Sequence, residues 1–245
     1  MTLVKSKLPV EQATFFRRSG YLKLPLRLDE NIVREAIAQI KSDAKQQIQP
    51  FRCDESGKLH RLDAIYQRHN IFKQILEHPE ILDCLESLLG PNIELVLNRH
   101  NHATLNHRGA SSIRLHRDVL QWSRDVVTAA FFLEDSTVEN GCTWLIPTSQ
   151  YLPFVGTPNN GGTWMDKHSI FASLIEQSLP SPMSKGSVLL FDSLAFHTVG
   201  TNNTSRTRIS ITAAYHSVDE LDERSESVNK VIVRGTRLYR GNDQY

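Results

Sequence analysis

The chain has 245 residues, 40% of them apolar and 22% charged, and its 28 Lys and Arg against 27 Asp and Glu leave a formal charge of +1. So even a balance excludes the broad basic field that draws proteins to nucleic acid or to anionic membranes. The longest wholly apolar stretch, Ala129 to Leu133, excludes a bilayer-spanning helix, which needs ~18 residues.

In chain order, the first predicted element is a short helix from Glu11 to Arg18, ended by Ser19-Gly20, after which Tyr21 to Leu24 alternates like a strand. Asp29 is placed to cap a second helix, whose apolar Ile32, Val33, Ala36, Ile37 and Ile40 recur at helical spacing. A third helix is expected from Pro79 to Leu89, with Gly90-Pro91 as an αL stop. From Ile93 the texture changes to short β-rich runs: Ile93 to Asn98, Val126 to Leu133, Thr143 to Ile146, Ser187 to Phe191, Arg208 to Tyr215 and Val231 to Val233. This pattern predicts a mainly β fold with flanking helices, a sandwich or jelly roll. The expected organisation is one domain over 1–245, with a helical flank over 1–92 and the β core over 93–245. A polar Gly/Asn segment at about 153–170, followed by a helix from Ser169 to Gln177, suggests a lid.

Cys53, Cys84 and Cys142 form no Cys-x-x-Cys pair and are expected as reduced thiols. The N-terminal ten residues lack the apolar core of a secretory leader, so a cytoplasmic location is expected.

Ten histidines are scattered along the chain, so spacing has to select among them. His116 and Asp118 stand two apart, which on an extended strand directs both side chains to one face. His197, just beyond the apolar run Ser187 to Asp192, is able to complete a triad. Two imidazoles and one carboxylate on one face of an octahedron leave three adjacent positions open, the arrangement of non-haem Fe(II) oxygenases. Arg208 lies eleven residues beyond His197, and Ser210 faces the same way two residues on. A guanidinium fork plus a hydroxyl suits the distal carboxylate of 2-oxoglutarate. Arg206 has the same parity as Arg208 and competes with it; the spacing of eleven favours Arg208.

These residues, together with Phe15 to Leu22, Trp122, Glu139 to Gln150 and Gly186 through Arg208, resemble the phytanoyl-coenzyme A dioxygenase family of Fe(II)- and 2-oxoglutarate-dependent oxygenases. The resemblance implies a double-stranded β-helix, with His116, Asp118 and His197 as iron ligands and catalytic centre and Arg208 as the 2-oxoglutarate anchor. Dioxygen is the implied oxidant. The retained Asp118 argues against halogenation, which in this broad class uses the coordination position that a missing carboxylate vacates. Val199 departs from the Ser common in relatives two residues after the distal histidine, and Ser210 or Thr128 is expected to substitute. Gln150 stands where relatives carry His.

Other candidates come from the polar run Asn98 to His107. Alternation would put Asn98, His100 and His102 on one face and Arg99 and Asn101 on the other. Asn98 is expected to help bind 2-oxoglutarate. Asn101, Arg117, Trp122, Trp164 and His168 are expected to contact substrate. Such hydrogen-bonding groups and indoles suit a polar small molecule, a natural-product intermediate rather than an acyl chain, because buried donors and acceptors must be matched. The competing reading is a non-catalytic jelly-roll module with a structural ion.

Overall fold

The computed structural model describes residues 7–109, 113–119, 125–152, 173–219 and 229–237. Helix α1 (Val10–Ser19) ends at Gly20, whose φ of 80° lets its N–H reach the Phe16 carbonyl. A Cβ there would lie 2.4 Å from the Gln150 amide oxygen, so only glycine fits. Strand β1 (Tyr21–Arg27) follows; it contains Pro25 and occupies a sheet edge, where a missing N–H is tolerated. Asp29 caps α2 (Glu30–Gln46) by accepting from the Asn31 N–H at 2.7 Å, and Val33, Ala36 and Ile40 are buried on one stripe. A hairpin of β2 (Phe51–Cys53) and β3 (Leu59–Asp63) leads into the short helices α3 (Ile65–Arg68) and α4 (Asn70–Leu76), then α5 (Pro79–Leu89). Gly90 ends α5 at φ 89°, ψ −179°. That is a glycine-only conformation distinct from the αL stop expected.

The β portion comprises β4 (Ile93–Val96), β5 (His102–Asn106), β6 (Ile113–His116), β7 (Val126–Phe132), β8 (Thr143–Leu145), β9 (Leu179–Ser181), β10 (Ser187–Asp192), β11 (His197–Val199), β12 (Arg208–Ser217) and β13 (Lys230–Arg234). These strands build two antiparallel sheets. The larger runs β1-β10-β7-β12-β5-β3-β2, with β4 on β12 and β13 on β4; the smaller runs β6-β11-β8-β9. The helices cover the back of the larger sheet. There Val127, Ala129, Phe131, Val188, Leu190, Ile209, Ile211, Ala213 and Tyr215 join Phe16, Ile40, Phe72 and Leu85 in one core. Each such side chain contributes roughly 1.5–3 kcal/mol through burial. Period-2 alternation then turns Thr128, Ala130 and Phe132 of β7, and Arg208 and Ser210 of β12, to the opposite, inner face.

Two expectations need correcting. The first 92 residues are not a purely helical flank, since β1, β2 and β3 all pair into the larger sheet. The hairpin escaped notice because polar residues line its front, leaving no clear apolar alternation. The polar run after Ile93 is also not one strand. β4 pairs with the C-terminal half of β12 and β5 with its N-terminal half, and the chain bends between them through 97–100. His100 there has φ 45°, so alternation does not set its direction. All three cysteines are free. No helix among the described residues is long and apolar enough to cross a membrane.

Candidate metal centre and its anion pocket

β6 and β11 pair so that His116 stands directly opposite His197, and their rings lie 4.3 Å apart, centroid to centroid. Asp118 is not on β6 but on the bend just past it. Its N–H donates to the Ser193 carbonyl at 2.9 Å, which fixes the carboxylate beside the two imidazoles. Asp118 Oδ1 is 3.6 Å from His116 Nε2 and 3.3 Å from His197 Nε2. One ligand atom from each of the three residues falls within 4.8 Å of the others, the one such metal-binding cluster among the described residues. The carbonyl of Ala195 lies 3.0 Å from His197 Nδ1. A carbonyl only accepts, so Nδ1 carries the proton and Nε2 offers its lone pair to the cluster.

The two oxygens of Asp118 differ sharply. Oδ2 accepts a 2.7 Å hydrogen bond from Thr128 Oγ1, and Thr128 is in turn 2.7 Å from Ser193 Oγ. Oδ1 is buried and accepts no hydrogen bond, although His100 Nε2 also approaches it, at 3.1 Å. Burial opposes charge on this carboxyl, yet the imidazoles of His197 and His100 outweigh it and hold the group well below the usual carboxylate range. An orphaned carboxylate oxygen facing imidazole nitrogens is a donor set for a cation. The residues fit a divalent metal.

Arg208 supplies the opposite polarity. It begins β12 and is 4% exposed. Its Nη2 donates to the Gly141 carbonyl at 2.9 Å, with longer contacts to the Asn140 carbonyl and Ser210 Oγ. These partners are neutral, and burial draws the guanidinium down to about 10, which leaves it charged at neutral pH. Such a buried cation, held by carbonyls and a hydroxyl, fits a carboxylate. The turn that carries those carbonyls needs Gly141 at φ 81°, where a Cβ would strike the Gly200 carbonyl oxygen at 2.2 Å. Arg206 is exposed in the bend before β12. Asn106, opposite Arg208 on β5, is buried and was missed by sequence reasoning. Its signal is its parity with His102 and Thr104.

Several expected contacts have other partners. Thr128, expected at the cosubstrate, donates to Asp118 Oδ2 as described. Asn101 clasps α3: its side-chain oxygen accepts from the Tyr66 N–H, and its amide donates to Gln67 Oε1 and the Leu97 carbonyl. Arg117 alternates away from the triad, donating to the Ser149 and Leu152 carbonyls and lying over the Phe196 ring at 4.0 Å. Asn98 is exposed on the 97–100 bend. Gln150 ties its turn to the end of α1 through the Arg17 and Arg18 carbonyls. Ser193, which sequence reasoning missed, accepts from the Asp118 N–H through its backbone carbonyl and supports Thr128, the donor to Oδ2, through its hydroxyl. Trp122, Trp164, His168 and the 153–170 lid lie outside the described residues, as do the first four residues of the helix expected from Ser169 to Gln177; 173–175 are helical.

Comparison with known proteins agrees with this geometry. A family model described as phytanoyl-CoA dioxygenase (PhyH) matches residues 16–210. A methylphosphonate hydroxylase of Gimesia maris is 26% identical over 220 residues, covering 86% of this chain and 82% of that protein. An L-proline trans-4-hydroxylase of Streptomyces griseoviridis is 27% identical over 148 residues, covering 57% and 54%. Among solved structures, the epimerase SnoN in complex with Fe3+, alpha ketoglutarate and nogalamycin RO superposes with a TM-score of 0.73. The two are 21% identical over 85% of this chain and 83% of SnoN.

Proposed function

The chain belongs to the phytanoyl-CoA dioxygenase family and is an Fe(II)- and 2-oxoglutarate-dependent oxygenase, and we propose that it hydroxylates, or closes a ring at, an unactivated C–H bond of a small polar metabolite. One observation carries this reading: a donor set suited to a cation is accompanied by a buried guanidinium, on the inner face of the larger sheet, whose hydrogen bonds all go to neutral groups. His116, Asp118 and His197 would hold the iron. Arg208 and Ser210 would hold the distal carboxylate of 2-oxoglutarate. Bound together, iron and 2-oxoglutarate would activate dioxygen for C–H cleavage, one oxygen atom ending in succinate as carbon dioxide is released and the other serving to oxidise the substrate.

The chain's own residues do the positioning. Thr128 and Ser193 fix Oδ2 of Asp118, so that Oδ1 alone turns to the metal. The Nδ1 proton of His197, held by the Ala195 carbonyl, selects the tautomer of the neutral ring whose Nε2 would face the metal. Phe132, Leu145, Met183, Leu189 and Phe191 pack as a dry inner cluster, with the Phe191 ring 4.6 Å from that of His197. This apolar wall excludes water from one side of the metal centre. A polar substrate is supported by the hydrogen-bonding residues around the triad, and by relatives whose names refer to methylphosphonate and L-proline. A long acyl chain would leave the buried Nδ1 of His102 unmatched.

The test is an untargeted metabolite screen for stimulated succinate formation, with His116→Ala as the blank. Coupled turnover with a polar metabolite supports the reading; coupled oxidation of branched acyl-coenzyme A alone contradicts it.

A further inference from the structure

The larger sheet continues past the strands that carry Arg208, and this extension is charged. On β3, Arg61 stands opposite Thr104 and Asp63 opposite His102. Residues directly opposite in an antiparallel pair project to the same side. Leu62 and Ala103, also opposite each other, are fully buried in the core behind, so Arg61, Asp63, His102 and Thr104 share the front. Arg52 stands opposite Arg61 on β2. Both guanidiniums use one carboxylate: Arg61 Nε lies 2.6 Å from Asp63 Oδ1 and Arg52 Nε 2.8 Å from Oδ2. Two cations on one anion leave a surplus positive charge on this face.

From there the face leads inward to the metal centre. His102 is 7% exposed, and its buried Nδ1 has no hydrogen-bond partner. Its ring is 5.8 Å from that of His100, whose Nε2 approaches Asp118 Oδ1 at 3.1 Å. A buried imidazole nitrogen with no partner is costly unless a ligand meets it. The cosubstrate already has its own cation. Arg208 lies opposite Asn106, four residues along β5 from His102, or about 13 Å at strand rise.

Resting on the oxygenase reading above, we infer that the β3–β5 flank is the substrate subsite for a small acid, its carboxylate or phosphonate held by Arg61 and His102 while the neighbouring carbon faces the triad. Asp63 is a competitor for the same guanidinium. Recognition therefore requires Arg61 to exchange part of its contact with Asp63 for the substrate oxyanion.

The experiment is anaerobic calorimetry on the Fe(II)- and 2-oxoglutarate-loaded protein, titrated with methylphosphonate against its dimethyl ester and with L-proline against its amide. Preferential binding of at least one acid is expected. Arg61→Gln should weaken that binding about 10- to 100-fold, the loss of a charge-assisted contact. Asp63→Asn should strengthen it, a change of opposite sign that a merely structural role for the pair would not produce. Neither variant should alter the 2-oxoglutarate concentration that half-develops the visible charge-transfer band. Equal binding of acid and neutral partner, binding of neither acid, loss of acid binding in Asp63→Asn, or an Arg61→Gln effect on 2-oxoglutarate overturns the inference. An intact band alongside any of these keeps the oxygenase reading standing, whereas absence of the band from wild-type protein strikes that reading itself.

Discussion

The two ends of the site are built with opposite polarity. At the triad, a carboxylate oxygen and imidazole nitrogens converge on one point; at Arg208, a buried guanidinium is held by carbonyls and a hydroxyl. The difference in polarity suits two different ligands: on the proposed reading, a metal cation would meet the first end and the distal carboxylate of 2-oxoglutarate the second. Supporting shells differ in the same sense. Hydroxyls steady the anion, through Thr128 and Ser193, and carbonyls steady the cation, through Asn140 and Gly141.

The comparison breaks most severely if the triad is removed. Asp118→Ala and His197→Ala should each abolish turnover while circular dichroism shows a folded chain, because two remaining ligands cannot hold iron in a reactive geometry. Near-wild-type turnover by metal-replete Asp118→Ala would remove the triad from the account. At the other end, Arg208→Ala should raise the apparent Michaelis constant for 2-oxoglutarate about 10- to 100-fold. Exposed Arg206 should be replaceable by Ala with little change, and a larger effect there would mean that the wrong arginine faces the pocket.

Smaller effects sharpen the contrast between the two supporting shells. Thr128→Val keeps the shape but removes the donor to Oδ2, and should weaken Fe(II) about tenfold with no change in the 2-oxoglutarate dependence at saturating iron. Equal weakening of both would mean that the two ends are not separately supported. The smallest effect concerns Asp192, on the strand leading to the Ser193 bend. Burial, reinforced by Asp125, pushes its carboxyl up to about 6 despite the bond from the Leu194 N–H and the charge of Arg117. Its unfolded value is about 3.9, so the folded state binds this proton more tightly. That stability is present below pH of about 4 and lost as pH rises through about 6. Asp192→Asn should therefore gain stability relative to wild type across that window, its Tm advantage growing as pH rises from about 4 to about 6. A difference in Tm that does not vary with pH would refute it.

Much of the fold was legible because long-range packing reinforced local pattern. The stripe of α2 and the apolar runs of β7, β10 and β12 each have one unambiguous buried face. The β2–β3 hairpin was not legible, since its front is charged and its strands are only three and five residues long. The metal triad was readable from spacing, although the physical reason differs in part. His116 ends its strand, and Asp118 reaches the site through a bend anchored by Ser193, a residue 75 positions away whose role no local pattern announces. Asn101 and Arg117 illustrate how structural partners hide in a sequence. Polar residues near a site resemble ligand contacts in a sequence, but both serve backbone carbonyls or amides that a bent chain would otherwise leave unmatched.

The central claim, two sites of opposite polarity that together would hold a metal and 2-oxoglutarate, is tested most directly by anaerobic titration of Fe(II)-loaded protein with 2-oxoglutarate, followed by the visible charge-transfer band. The band should grow to saturation in the wild type, and it should reach the same height in Arg208→Ala only at about 10- to 100-fold higher 2-oxoglutarate. A folded wild-type protein that gives no band, or an Arg208→Ala titration that overlays the wild-type curve, would contradict it.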